Sequence, residues 1–315
     1  MVRGGYPEAT QRESADRRAA WFASCISTIL QRDVRDLARV DALHALPNLL
    51  KLLATRVSSL LNLADVSRDS GRPYSTLNRH LALLETVFLF HRLPAWSPNL
   101  GNRLVKAPKL HLVDTGLACH LIGADARRLA EDRPLLGRLL ETFVVAELRK
   151  QVSWTDPRTT LFHFRTTAGS EVDVVLEKAD GTVAAVEIKA SATVGASDFN
   201  VLKALRDQLG MRFGAGVVLY LGDQVVPFGD KLTLVPIPYL WAKRTAQPAG
   251  NHETTADKAF PFLLAGRSVA HVIPSALDMT VDASILGFLP RFRTISLRSA
   301  NSVENRCEKQ EWCFL

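Results

Sequence analysis

The chain has 315 residues, 47% hydrophobic and 23% charged, with a formal net charge of +7 and a pI near 9.4. That length suggests about two domains with real cores, and the composition is ordinary for a soluble globular protein. No apolar run approaches a membrane span, and the N-terminal MVRGGYPEAT carries no signal-peptide core, so a cytoplasmic protein with no membrane partner is expected.

The mild basic excess permits nucleic-acid binding without establishing it. Cys25, Cys119, Cys307 and Cys313 are too scattered for a zinc knuckle or a disulfide framework, which fits a reducing compartment.

In chain order, GGYPEA reads as a loop and residues 15–37 as a helix with Trp21, Phe22, Ile26, Ile29 and Leu30 on one side. Such a helix needs a partner, so residues 1–40 read as the remnant of a preceding module. A second, leucine-rich helix is expected over residues 43–61. A helix–turn–helix pattern follows: a short helix over 61–69, a turn at 70–73, and a longer helix over 76–90 with Ser75 as candidate N-cap.

The polar face of that longer helix carries Asn78, Arg79 and His80. Arg92, Arg103, Lys106 and Lys109 then fall in an alternation of strand and turn that reads as a basic wing. Residues 41–122 therefore suggest a winged helix with its recognition helix near 76–84. The alternative is the same fold used only for packing between domains. Asp114 is placed to cap a helix beginning at Thr115, while His111, Cys119 and His120 read as packing residues.

Residues 123–241 read as a second domain. An amphipathic helix over 134–150 carries Glu141 inside its apolar face, which is unfavourable unless something cationic meets it. The stretch from Glu171 to Lys189 reads as two strands joined by a tight turn. A two-residue loop at Asp180-Gly181 would set Asp173 opposite Ile188. A three-residue loop, Ala179-Asp180-Gly181, sets it opposite Glu187, with glycine at the position that needs positive φ.

In that register Asp173 and Glu187 face each other, with Lys189 one pleat along. Mg²⁺ or Mn²⁺ between the carboxylates would remove their repulsion, and Lys189 could orient an attacking water. An ordinary ion pair on a solvated sheet face is the competing reading. Ser197 and Gly210 bound a further helix, and strands are expected over 216–221 and 231–237. The order fits a mixed α/β (α+β) sheet flanked by helices. Residues 242–315 change character and read as a separate tail, poorly ordered.

GGYPE, the Trp21-Phe22 helix with QRDV, KLHLVDTGL, GRLLETFVVAEL, FHFRTTAGSEVDVVLE, VEIKAS and the closing Leu240-Trp241 occur in this order. Together they resemble the C-terminal half of a group of prokaryotic AAA-type ATPases that end in a domain of unknown function, DUF4143. That resemblance implies a winged helix followed by a PD-(D/E)xK nuclease-like domain. It places a metal set on Glu141, Asp173 and Glu187, with Lys189 assisting the attacking water. It also implies DNA, and a separate ATPase or other protein, as partners.

The family's ATPase half carries a G-x-x-x-x-G-K-[ST] loop, and no such stretch occurs here, so no ATP site is expected. The tail after Trp241 has no counterpart in the family, which fits a truncated or frame-disturbed reading frame.

Overall fold

The computed structural model describes residues 1–34 and 45–241, and within them the fold is mixed α+β. The tail after Trp241 lies outside the described residues, as does the end of the helix expected over 15–37. Helices α1 (Pro7–Thr10) and α2 (Ala15–Thr28) open the chain, α2 running into a wider turn over Ile29–Asp33. Ser14 caps α2 by accepting from Arg17 N–H, and Phe22 and Ile26 turn inward against α7 (Thr115–Ile122). Asp114 caps α7 as the sequence predicts, accepting from Leu117 N–H at 2.8 Å. The same carboxylate accepts from Gly5 N–H. Gly116 sits so close to Gly4 that a Cβ there would lie 2.5 Å from the Gly4 nitrogen. The N-terminal loop therefore docks on the start of α7.

Helix α3 (Leu46–Thr55) buries Leu46, Leu49, Leu50 and Leu53. Next come α4 (Leu63–Ser70) and α5 (Tyr74–Thr86), joined by a turn in which Gly71 takes φ 64°. Asn62 caps α4. No side chain caps α5, which begins one residue after Pro73, so Ser75 is a helical residue and not its cap. The inward stripe of α5 is Leu77, His80, Leu81 and Leu84. His80 thus lies inside, not on the polar face with Asn78 and Arg79.

Strands β1 (Phe90–Leu93) and β2 (Lys109–Leu112) pair antiparallel, and a bridge from Leu60 to Lys109 adds the segment before α4. The connection between them holds the short helix α6 (Leu100–Val105) and bonds to the second sheet through Trp96 N–H to His163 O at 2.6 Å.

After α8 (Ala126–Glu131), helix α9 (Arg133–Thr155) runs through both halves of the molecule. Leu135 and Leu139 join the N-terminal core, while Leu140, Val144, Val145 and Leu148 cover one face of a six-stranded sheet. That sheet is ordered β3-β4-β5-β6-β8-β7, with β3 (Thr160–Arg165), β4 (Glu171–Glu177), β5 (Val183–Lys189), β6 (Phe213–Tyr220), β7 (Val226–Pro227) and β8 (Leu232–Pro236). Strands β5, β6 and β8 are mutually parallel and the other pairings antiparallel. Helix α10 (Asn200–Leu209) covers the other face with Leu202 and Leu205, beside Phe199.

The β4–β5 hairpin has the register expected from its loop. Val174 pairs with Val186, Lys178 N–H bonds to Thr182 O, and Gly181 takes φ 81°. The pairing ends at Val174–Val186, and Asp173 beyond it accepts through its carboxylate from Ile188 N–H. Against β3, however, one residue is matched by two: Phe162 pairs with Val175 but Phe164 with Val172, so His163 stands opposite Asp173 and Val174. This bulge lets Val172 and Val175 pack in the same core, and Asp173 lies in the break.

Gly181→Ala should therefore keep the hairpin register but cost about 1–2 kcal/mol, because a Cβ at this φ is strained even where space is open. A urea midpoint unchanged from wild type would contradict this reading of the turn.

Candidate functional site

The C-terminal end of β5, the bulge in β4 and the first half of α9 converge, and a residue of the other sheet reaches in between them. Lys109 of β2 is 2% exposed, with Nζ 2.7 Å from Glu141 Oε1 and 3.3 Å from Asp173 Oδ1, and also ion-paired to Glu171. The apolar context of Glu141 on α9 thus has the cationic partner that the helix pattern demands, but that partner is not a metal. Asp173 Oδ2 accepts from Ile188 N–H at 2.9 Å, which ties the bulge to β5.

Glu141 Oε1 also lies 3.9 Å from His111 Nε2. Beneath it, Thr142 Oγ1 is 3.2 Å from His111 Nδ1 and 3.0 Å from Ser58 Oγ, and His111 stacks on His91 at 5.5 Å.

Glu187 and Lys189 form the outer part of the cluster. Lys189 Nζ donates to Glu187 Oε1 at 2.9 Å and lies 3.6 Å from Asp198 Oδ1. Glu187 Oε2 is buried and has no hydrogen-bond partner among the described residues.

The electrostatics follow from this crowding. Burial, and then the Asp173 charge, push the Glu141 carboxyl well above the usual carboxylate range. Burial likewise raises Asp173 despite the opposing pull of Lys109. Glu187 rises to about 7, through burial first and Asp173 second. Burial alone would depress Lys109, but Glu141, Asp173 and Glu171 together outweigh it and hold the ammonium charged. Burial keeps the neighbouring imidazoles neutral, with His91 lowered to about 3 and His163 to about 4.

A divalent ion bound by Glu141, Asp173 and Glu187 would need their oxygens free. As placed, Glu141 and Asp173 face an ammonium, and Asp173 also accepts a backbone N–H. Among the described residues no group of three His, Cys, Asp or Glu side chains is disposed to hold a metal ion. The residues do not fit the metal that the resemblance implies.

Of the six side chains expected to meet nucleic acid, Asn78 and Arg79 are exposed on α5. Lys106 is exposed on the loop before β2, with Nζ 3.4 Å from Arg165 O. The other three are corrections to a solvent-facing wing. Arg92 pairs with Glu85 at 3.2 Å. Arg103 forks onto Glu177 and lies over the rings of Trp96 and Phe162, at 5.5 and 4.9 Å. Lys109 is enclosed. Arg103 and Lys109 thus meet acidic side chains of the large sheet, whereas Arg92 meets Glu85 on α5. The sequence does not reveal Glu171 and Glu177, because each acquires its role from a partner distant in the chain, while Asp198 meets Lys189 only through the turn that follows β5. His80 was readable, since it falls at helical spacing within the Leu77–Leu81–Leu84 stripe.

The fold defines a helix–turn–helix unit and its two-stranded sheet, joined through one long helix to a six-stranded mixed sheet with an acidic cluster at its edge. Residues 136–240 match the family model described as "Domain of unknown function (DUF4143)", and residues 1–128 match "Domain of unknown function (DUF8612)". Two mycobacterial relatives are each 29% identical over 235 residues. They are the uncharacterized protein Rv2008c of Mycobacterium tuberculosis and the uncharacterized protein Mb2031c of Mycobacterium bovis, and in each case the match covers 75% of this chain and 51% of the relative. An uncharacterized protein of Haemophilus influenzae is 28% identical over 153 residues, covering 47% of this chain and 36% of its own length. The chain spans about half the length of the mycobacterial relatives it matches.

The raised Glu187 carboxyl gives a pH test. It holds a proton in the folded chain that the unfolded chain releases above about 4.5, so its stabilising contribution is lost as pH rises from there to about 7. The stability of Glu187→Gln relative to wild type should therefore increase over that window. A difference in melting temperature that stays flat from about pH 4 to about pH 8 would contradict the assignment.

Proposed function

We propose that this chain is a DNA-docking module in which the helix–turn–helix unit meets the duplex and the nuclease-like sheet serves as its scaffold. The supporting observation is the exposed edge of α5: Asn78 and Arg79 stand on the first turns after the Gly71–Pro73 bend, while Leu77, His80 and Leu81 anchor the opposite side. In helix–turn–helix proteins the N-terminal residues of the second helix contact base edges, and amide and guanidinium side chains are the usual readers of adenine and guanine. Lys106 and the overall charge of +7 add a sequence-independent attraction to phosphate.

Metal-dependent phosphodiester cleavage is the weaker reading, because two of the carboxylates that would hold Mg²⁺ or Mn²⁺ already pair with Lys109 and the third with Lys189. The protein partner we propose is an ATPase, covalent or separate, as in the resembling family.

Fluorescence anisotropy on a labelled duplex tests this directly. Binding should weaken with salt, with a log–log slope of about −0.9 per phosphate contact. Arg79→Ala should weaken it, whereas Arg103→Ala should leave the slope unchanged because Glu177 already engages that guanidinium. No binding at low ionic strength, or full binding by an Asn78→Ala/Arg79→Ala chain, would overturn the proposal. Plasmid cleavage that requires Mn²⁺ and stops with EDTA would overturn the scaffold role of the sheet.

A further inference from the structure

Lys109 is where two parts of the fold meet. It is carried by β2, beside the helix–turn–helix, and its three anionic partners come from α9 and β4. An ammonium that is 2% exposed among Glu141, Glu171 and Asp173 has the charge and the position of a bound cation. The adjacent Glu187 keeps one buried oxygen without a donor, so the cluster has acceptor capacity that its lysines leave unused.

The disagreement between these residues and the divalent ion implied by the resemblance has one physical source. We infer that Lys109 is a tethered counter-cation: it occupies the carboxylate set in place of a divalent ion and excludes it, so that the N-terminal unit holds this part of the large sheet closed.

Two alternatives make different predictions. If Lys109 only fastens one sheet to the other, its loss costs stability and creates no new binding. If it stands in for a cation, removing its charge leaves Glu141, Glu171 and Asp173 uncompensated beside Glu187, and such a set takes up a divalent ion in a charge-dependent way.

The experiment is a calorimetric titration of the full chain with Mn²⁺ at about pH 8, above the raised Glu187 titration at about 7. Wild type and Lys109→Met are compared, the methionine keeping the length of the side chain without its charge. Wild type should show no saturable site below about 1 mM. Lys109→Met should gain a single site at least about tenfold tighter, and adding Asp173→Asn should abolish it. Tight Mn²⁺ binding by wild type, or a folded Lys109→Met chain that gains no site, overturns the inference.

Should Lys109→Met fail to fold, the comparison passes to Lys109→Gln, which also removes the charge but keeps a polar group that can donate to Glu141 and Asp173. A gain in Mn²⁺ affinity is again expected, and no gain overturns the inference. The titration contains no nucleic acid, so its failure and the failure of DNA docking are separate results.

Discussion

The ion cluster around Lys109 Nζ is the contact on which the arrangement of the two halves turns. A buried ammonium and buried carboxylates are each costly to desolvate, and each is tolerable here only because the other is present. Glu141 stands in the apolar face of α9 because Lys109 meets it and offsets part of its desolvation cost. The bulge in β4 is stabilised in turn, because Asp173 reaches Lys109 with one oxygen and the Ile188 N–H with the other. Removing one partner from such a group typically costs about 3–5 kcal/mol, since the remainder stay buried without compensation. The hairpin register, the helix carboxylate and the position of the two-stranded sheet therefore depend on one another.

The same inward turning of charge governs what is left for a ligand. Arg103, just before Lys109 in the chain, follows the same pattern, forking onto Glu177 and packing its guanidinium over two rings. Along this face the cations of the N-terminal unit satisfy acidic groups of the large sheet. Basic residues exposed to solvent near the helix–turn–helix include Arg68 on α4, Arg79 on α5 and Lys106, which is the surface on which the proposed DNA docking would act.

The sequence was informative where structure is local. The three-residue loop ending in Gly181 determines the β4–β5 register, since only a few neighbouring dihedrals decide it. Asn62, Ser14 and Asp114 act on the turn that follows each of them, and of these Asp114 was read correctly in advance. Glu141 was legible as a misfit within a helical stripe. Lys109 was not, because its partners lie 32 and 64 residues away for Glu141 and Asp173, and a lysine next to a proline-containing turn looks like any wing cation. Ser75 is a helical residue and not the cap, because Pro73 already fixes the helix start. Wherever a charge is assigned by distant packing, residue type and spacing carry little information about its direction.

The most direct measurement is a double-mutant cycle between Lys109→Met and Glu141→Gln, with unfolding free energies read from urea denaturation near neutral pH. If the ammonium and the carboxylate compensate each other, each single change destabilises the chain and the double change costs less than their sum by more than about 1 kcal/mol. Additivity to within about 0.5 kcal/mol would mean that the two groups do not interact, and the account of the cluster would fail.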